Sequence, residues 1–255
     1  MDQTNSFRTK LEEGTVVLGA SADTFAPSLV ELYGELGLDF VWLDYEHHGA
    51  TPWDSHALEN LSRAAELVDT ELLVRIPEPN PALVRKVLDT GVRNVLVPRI
   101  DTAAEVRRCV EAARYTYEDG PGERGNSTAR TNTWRNTDRY LQTEDEQVCV
   151  GVMIEKASAI DTLDEILSVP ELGFTFVGPS DLSVQMGFEK DDPEFQRRIA
   201  EVRSRSLDAG VPVGCIEGDP DAAARAIEDG YQIVRIASEF GAVQRAVRDR
   251  LRRIQ

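Results

Sequence analysis

The chain has 255 residues and a formal net charge of −17, from 45 acidic and 28 basic residues. This length is typical of one (β/α)8 barrel, and a chain of this size buries roughly 70–75% of its unfolded surface without disulfides or metals. The negative charge argues against a nucleic-acid partner, whose phosphate backbone is also negative. Only four of the basic residues are lysine, and this acidic, arginine-rich composition predicts a halophilic protein.

The sequence also argues against a membrane span, a zinc knuckle and a disulfide framework. No apolar stretch approaches the ~20 residues that a membrane-spanning helix needs. Residues 1–5 are polar and lack the apolar core of a signal peptide. Cys109, Cys149 and Cys215 lie far apart and form no C-x-x-C pair. We therefore expect a cytoplasmic protein that has no membrane contact.

Apolar stretches rich in β-forming residues alternate with helical patterns along the chain. Predicted strands cover residues 15–21, 40–47, 72–77, 94–99, 149–155, 174–178, 211–216 and 231–237. Predicted helices lie near 24–36, after Pro52, at 81–90, 102–115, 134–147, 157–168 and 193–209, before Gly230, and at the C-terminus. Residues 116–133 interrupt this alternation and predict a long polar loop, a feature that is more often functional than idle.

Eight apolar strands with helices between them predict a parallel sheet covered by helices. The predicted fold is therefore α/β, a (β/α)8 TIM barrel that forms a single domain over residues 1–255. A doubly wound open sheet is the alternative, but it normally uses fewer strands.

Polar side chains follow several predicted strands at their carboxyl ends, which form the catalytic face of such a barrel. The second strand runs into Asp44, Glu46, His47 and His48, the third ends at Arg75, the fifth at Glu155, and the sixth continues into Gly178-Pro-Ser180-Asp181. Glu155 and Asp181 follow adjacent strands, which lie about 4.8 Å apart. Two such carboxylates either repel each other or share a cation, and hard oxygen ligands favour Mg2+, Mn2+ or Co2+. Arg75 could pair with these acids or clamp a substrate carboxylate.

Other chemistries lack a well-placed residue. None of the four lysines has the buried strand-end position that imine chemistry requires. No G-x-S-x-G elbow is present, and no cysteine stands at a polar strand end. Residues 120–125 match G-x-G-x-x-G, but no strand precedes them, so a dinucleotide site is disfavoured. Metal-assisted chemistry is therefore preferred.

Five motifs together resemble the HpcH/HpaI aldolase family of class II, metal-dependent aldolases that act on 2-oxo acids. They are Asp44-Tyr-Glu46-His47, Val74-Arg75-Ile-Pro77, Leu96-Val-Pro98, Met153-Ile-Glu155 and Gly178-Pro-Ser-Asp181-Leu-Ser183. The resemblance extends from about residue 10 to residue 245. It implies a (β/α)8 barrel, assembled as a homo-oligomer such as a trimer or hexamer.

The resemblance also implies roles for the strand-end residues. Glu155 and Asp181 would bind a divalent metal, and Arg75 would stabilise the enolate oxygen. His47 would act as the base, oriented by Asp44. Gly178, Ser180 and Asp181 would contact the substrate carboxylate through backbone amides. The loop around Arg124-Gly125 would shape the aldehyde end of the site.

These features predict a lyase that cleaves a 4-hydroxy-2-oxo acid reversibly to pyruvate, or a related 2-oxo acid, and an aldehyde. Such cleavage leaves an enolate, whose charge a divalent cation and a guanidinium can stabilise. A CoA-ester lyase of the malyl or citramalyl type is the alternative enzyme, although no long basic stretch offers a clamp for CoA phosphates. A non-catalytic barrel that binds small acids is the third possibility.

Overall fold

The structure is a computed structural model, and it describes residues 4–49, 51–131 and 139–254. Eight parallel strands close into a barrel in which each strand pairs with two neighbours and β8 returns to β1. The strands are β1 (Val17–Ser21), β2 (Phe40–Asp44), β3 (Glu71–Arg75), β4 (Asn94–Val97), β5 (Cys149–Ile154), β6 (Phe174–Val177), β7 (Val213–Ile216) and β8 (Ile233–Ser238). The predicted (β/α)8 barrel is confirmed.

Helices cover the outside of the barrel. Within the described residues they are α1 (Ser6–Glu12), α2 (Pro27–Glu35), α3 (Ser55–Leu67), α4 (Pro81–Leu88), α5 (Ala103–Ala112), α6 (Tyr140–Gln147), α7 (Ala157–Asp161), α8 (Leu163–Leu167), α9 (Pro179–Met186), α10 (Pro193–Asp208), α11 (Pro220–Glu228) and α12 (Glu239–Ile254). Side chains of Asp54, Asn80 and Thr102 accept hydrogen bonds from backbone N–H groups at the starts of α3, α4 and α5. These caps satisfy donors that a helix cannot pair internally.

The observed elements differ from the predicted ones mainly at their ends. The predicted strand 40–47 stops at Asp44, and the following residues form a turn. The predicted helix 157–168 is divided at Thr162 into α7 and α8. The sequence patterns predicted neither α1 nor α9. Of the helix predicted at 134–147, residues 134–138 lie outside the described part of the chain.

Aromatic side chains fill the amino end of the barrel. The ring of Phe7 in α1 packs edge-on against Phe40 and Phe174, with centroid distances of 5.5 and 5.7 Å. Gly151 leaves room for Phe174, because a Cβ on Gly151 would lie 2.2 Å from a carbon of that ring. Phe7, Phe40 and Phe174 are fully buried. The polar groups at the carboxyl ends of the strands therefore lie above a packed apolar floor.

The segment 116–131 lies at the amino ends of the strands, contrary to the expectation that it shapes the aldehyde end of the site. Arg124 donates to Glu144 of α6 at 3.4 Å, and its guanidinium stacks over Tyr115 at 4.8 Å. Arg130 donates to the carbonyl of Thr90, just before β4, at 2.9 Å. Glu144 is 1% exposed, and its buried carboxylate pairs with Arg124 at the amino ends of the strands. Within a single chain, Arg124 therefore does not reach the carboxyl ends of the strands, where the candidate site lies.

The C-terminal helix α12 differs from the other long helices because none of its residues is buried. Its large apolar side chains, Phe240, Val243, Val247, Leu251 and Ile254, are between 46% and 83% exposed. Their spacing of three or four residues places them on one face of the helix. We call this set the α12 stripe.

Two further observations bear on the sequence predictions. Cys109, Cys149 and Cys215 are all buried and free. In the described part of the chain, no helix has the length and apolar character needed to cross a membrane.

Candidate active site

Asp44 and Arg75 form a two-point ion pair at the carboxyl ends of β2 and β3. Their Cα atoms are in register in the sheet. Arg75 Nε donates to Asp44 Oδ1 at 2.9 Å, and Nη2 donates to Oδ2 at 2.5 Å. Arg75 is 9% exposed and Asp44 is 7% exposed. Such a fork holds the plane of the guanidinium in one orientation.

The ion pair is charged on both sides. Burial alone would raise the pKa of Asp44, but the hydrogen bonds and charge of Arg75, with the N–H groups of His47 and Glu46, hold it below its usual value. Burial would lower the pKa of Arg75, but the carboxylates of Asp44, Glu46 and Glu155 raise it above its usual value. Arg75 is therefore a fixed cation that faces an excess of acidic groups.

Glu46 is a third acid at this site and was absent from the predicted site residues. Its Oε2 lies 2.9 Å from Arg75 Nη1, and its side chain is 7% exposed. Burial raises its pKa, Arg75 partly opposes this, and the charges of Asp44 and Asp181 raise it further. Its position two residues beyond the end of β2 could have predicted that Glu46 lies at the site.

Glu155 follows β5 and is 2% exposed. Its Oε1 accepts a hydrogen bond of 2.6 Å from the backbone N–H of Arg99, which follows β4. Arg99 adopts a φ of 56°, a left-handed conformation that is uncommon for a residue with a side chain. The residues after β4 therefore direct a peptide dipole at the carboxylate, a contribution that the sequence could not reveal.

This hydrogen bond does not neutralise Glu155. Burial raises the pKa of Glu155 to about 7, the Arg99 N–H and the charge of Arg75 oppose the increase, and the charges of Glu46 and Asp181 add to it. At neutral pH the carboxyl is therefore poised to bind either a proton or a cation.

Gly178, Ser180 and Asp181 lie where β6 passes into α9. A Cβ on Gly178 would lie 2.7 Å from Glu155 Cβ, so only glycine allows this close approach. Ser180 and Asp181 occupy the first turn of α9, where backbone N–H groups have no partner within a helix. The Ser180 side chain is exposed and accepts a hydrogen bond of 2.8 Å from Lys190 Nζ. This first turn can bind an anion such as a carboxylate.

The structure places the histidines differently from the expected pairing of Asp44 with the His47 ring. Asp44 accepts a hydrogen bond of 3.3 Å from the backbone N–H of His47, whereas the neighbouring ring is that of His48, whose Nδ1 lies 3.4 Å from Oδ2. The His47 ring is 56% exposed, and its Nε2 lies 3.8 Å from Glu46 Oε2. The structure thus brings both rings to the site but orients only His48 against Asp44.

The donor set fits a divalent cation, although the described residues contain no group of three or more His, Cys, Asp and Glu side chains arranged to hold one. Among the described residues, no cationic side chain is in hydrogen-bond contact with the buried Glu155, and burial with the charges of Glu46 and Asp181 raises its pKa. Carboxylate oxygens are the ligands that Mg2+ and Mn2+ prefer. The unbalanced charge at Glu155 and Asp181 is the feature that a cation would relieve.

The chain is similar to known aldolases. Its sequence matches the HpcH/HpaI aldolase/citrate lyase family over residues 22–246. It is 32% identical over 238 residues to a 2-keto-3-deoxy-L-rhamnonate aldolase of Escherichia coli O17:K52:H18, covering 91% of this chain and 86% of that protein. It is 30% identical over 247 residues to a hydroxypyruvate/pyruvate aldolase of Pseudomonas aeruginosa, covering 96% of this chain and 91% of that protein.

The chain is also similar to a solved structure of an aldolase/citrate lyase family protein. The crystal structure of an HpcH/HpaI aldolase/citrate lyase family protein from Burkholderia cenocepacia J2315 superposes with a TM-score of 0.91 at 30% identity, covering 98% of this chain and 99% of the other. The match in sequence extends over most of the chain, and the match in fold includes the whole barrel. The chain therefore belongs to the HpcH/HpaI aldolase/citrate lyase family.

Proposed function

We propose that this enzyme is a class II aldolase that cleaves a 4-hydroxy-2-oxo acid reversibly to pyruvate, or a related 2-oxo acid, and an aldehyde. The observation that carries the proposal is the buried guanidinium of Arg75, fixed by Asp44 beside the acids Glu155 and Asp181. One cation of defined orientation next to an unneutralised carboxylate pair suits a reaction whose intermediate is an anionic enolate. The names of the relatives, both aldolases, support the same reaction class.

Glu155 and Asp181 are the residues that would hold a divalent metal, with Mg2+, Mn2+ and Co2+ as the candidates. When bound, such a cation supplies Lewis-acid stabilisation of the negative charge that develops on the 2-oxo acid. The backbone N–H groups of Ser180 and Asp181, with Gly178 beside them, would orient the substrate carboxylate at the first turn of α9.

Arg75 would donate to the enolate oxygen. Its Nε and Nη2 are held by Asp44, while Nη1 lies 2.9 Å from Glu46 Oε2 and 3.5 Å from the sulfur of Met153. The contact between Nη1 and Glu46 Oε2 is an ion pair without hydrogen-bond geometry, so Nη1 is the donor that a substrate oxygen would approach. Because the guanidinium is already oriented, it would require little rearrangement during the reaction.

His47 is the proposed base for the hydroxyl proton whose loss starts cleavage. Its ring is exposed at the mouth and can reach solvent, and Glu46 lies beside it. His48 is the second candidate, because its ring is the one that contacts Asp44. A carboxylate that holds one ring nitrogen sets the tautomer and leaves the other nitrogen to accept a proton.

The α12 stripe supports a proposal that the enzyme is a homo-oligomer, a trimer or a hexamer. Five large apolar side chains on one face of a 16-residue helix have no covering element in the described chain. A continuous exposed apolar surface of this kind is typical of a protein–protein contact. The cytoplasmic location expected from the sequence stays a prediction.

The test is deuterium exchange into the methyl group of pyruvate, followed by NMR, in molar KCl with Mg2+, Mn2+ or Co2+. Exchange reports enolate formation and needs no knowledge of the aldehyde. We expect exchange in the wild type and in Glu13→Gln, a control at an exposed glutamate, but none in Asp181→Ala. Absence of exchange with all three metals would refute the proposal. Cleavage that requires a CoA ester would favour the CoA-ester lyase instead.

A further inference from the structure

An ion pair joins the loop after β4 to the residue that follows Glu155. Lys156 donates through its Nζ to Asp101 Oδ2. The hydroxyl of Ser158 in α7 donates to Asp101 Oδ1 at 2.5 Å, and the hydroxyl of Thr162 donates to the carbonyl of Asp101 at 3.0 Å. Three side chains that follow β5 therefore bind one residue of the loop after β4.

Asp101 stands two residues after Arg99, whose backbone N–H donates to Glu155. Arg99 has a φ of 56°, and a residue with a side chain keeps such a conformation only where its surroundings hold it. Ile100 is fully buried in the core, and the N–H of Asp101 donates to Glu105 in the first turn of α5 at 2.8 Å. The ion pair of Asp101 is therefore one of the contacts that hold the Arg99 peptide in place.

The hydrogen bond from Arg99 determines which oxygen of Glu155 faces Asp181. The Arg99 N–H binds Oε1 at 2.6 Å. Oε2 lies on the side of Gly178, since a Cβ on that glycine would be 3.0 Å from it. Gly178 directly precedes α9, whose first turn carries Asp181. Oε2 is therefore the oxygen presented to Asp181, and a hydrogen bond of this kind fixes the orientation of a ligand residue.

The ion pair contributes little stability by itself. The Lys156 side chain is 18% exposed and that of Asp101 is 39% exposed, and pairs with this access to solvent are typically worth little. A lysine next to Glu155 would also disfavour a cation by charge alone. Neither the stability of the fold nor the charge of the site accounts for the pair, whereas its place beside the Arg99 peptide does.

We propose that Asp101 and Lys156 are positioning residues, whose ion pair holds the loop after β4 so that Glu155 presents Oε2 to a divalent cation. The inference rests on the proposed metal-dependent function and adds two residues that act through Glu155. An electrostatic role makes the opposite prediction for Lys156. By charge alone, losing Asp101 would weaken cation binding and losing Lys156 would strengthen it, whereas a positioning role requires that either loss weakens it.

The experiment measures the dissociation constant of Mn2+, from the electron paramagnetic resonance signal of the free ion, in molar KCl at a fixed pH. The variants are Asp101→Asn, Lys156→Met, the double variant of both and the conservative Lys156→Arg. The control breaks another exposed ion pair, Arg203 with Asp229, in Arg203→Met and Asp229→Asn. Circular dichroism establishes that each variant is folded, and deuterium exchange into pyruvate is measured over a series of Mn2+ concentrations.

We expect Asp101→Asn, Lys156→Met and the double variant each to weaken Mn2+ binding by about 10-fold, the lower end of the range for a lost partner of a metal ligand. The double variant should be no weaker than the single variants, because all three lose the same ion pair. Lys156→Arg should retain most of the affinity, since it keeps the positive charge and can donate to Asp101. Pyruvate exchange should need about 10-fold more Mn2+ in the weakened variants and return to near the wild-type rate at saturation, while the control variants are unchanged.

The contrary outcomes separate the two proposals. Mn2+ binding in Lys156→Met as tight as in the wild type, or tighter, would refute this inference and leave the metal-dependent function standing, as would wild-type affinity in the double variant. A wild type that neither binds Mn2+ nor exchanges pyruvate protons with Mg2+, Mn2+ or Co2+ would refute both. If Asp101→Asn does not fold, the direction of the change in Lys156→Met still decides the question.

Discussion

Replacing Glu155 with glutamine tests whether this buried acid destabilises the metal-free protein as the pH rises. Burial raises the pKa of Glu155 from 4.5 to about 7. The carboxyl therefore ionises less readily in the folded protein than in the unfolded chain. By linkage, the protonated carboxyl contributes its full stabilisation of the folded wild type below a pH of about 4.5. The wild type loses this stabilisation as the pH rises through about 7. Glutamine cannot ionise and shows no such loss.

The size of the effect follows from the same values. The interval between 4.5 and about 7 corresponds to about 3 kcal/mol of unfolding free energy, order of magnitude. Because Glu155 is 2% exposed, screening by solvent reduces this little. For a chain of 255 residues, about 3 kcal/mol changes the melting temperature by roughly 6–12 °C.

The assay is thermal unfolding by circular dichroism in molar KCl with a chelator, from about pH 5 to about pH 8, the interval in which linkage acts. The melting temperature of Glu155→Gln minus that of the wild type should increase with pH. Glu13→Gln, with an exposed side chain, should follow the wild type. Saturating Mn2+ should stabilise the wild type at the upper end and leave Glu155→Gln nearly unchanged. Parallel curves for Glu155→Gln and the wild type would refute the reasoning.

Three further outcomes follow from the site and the composition. Asp181→Ala and chelation should each abolish aldol cleavage without unfolding the protein, measured by a coupled assay beside circular dichroism; full activity after chelation would exclude the metal. Arg75→Ala should raise the activation free energy of both cleavage and pyruvate exchange by roughly 3–4 kcal/mol. Replacement of the histidine that acts as the base, in His47→Ala or His48→Ala, should slow cleavage about 10²–10⁴-fold while the variant still binds pyruvate. The melting temperature should rise markedly from dilute buffer to molar KCl, because salt screens the net charge of −17; a flat profile would contradict the halophilic prediction.

The fold could be predicted because each strand carries its own signal. Buried parallel strands such as Phe40–Asp44 and Cys149–Ile154 are nearly continuous apolar runs, and eight of them leave few architectures open. The family and the aldolase class predicted from the five motifs are likewise confirmed. Helix α1 was missed because its seven residues are too few for a periodic pattern, although Phe7 and Leu11 are buried.

The site was predictable only to the level of which residues share the rim. Asp44 and Arg75 each end a strand, Glu155 directly follows one, and the barrel brings such ends together. The choice between the two histidine rings was not available from the sequence. After Asp44 the chain folds into a turn in which the N–H of His48 donates to the carbonyl of Asp44 at 3.0 Å, so the ring four residues later faces the carboxylate. The Arg99 N–H at Glu155 was equally hidden, since every residue except proline carries such a donor.

The charge of the whole chain and the charge of the mouth act on an anionic substrate in opposite directions. A net charge of −17 repels a 2-oxo acid at long range, and molar salt reduces the range of that repulsion to about 3 Å. Arg75 is buried against Trp42, and buried charges are screened much less than exposed ones. Salt therefore removes the repulsion and leaves most of the attraction. An acidic surface and the proposed anion-binding site can coexist in one chain because Arg75, the cation proposed to bind the anion, lies inside the barrel.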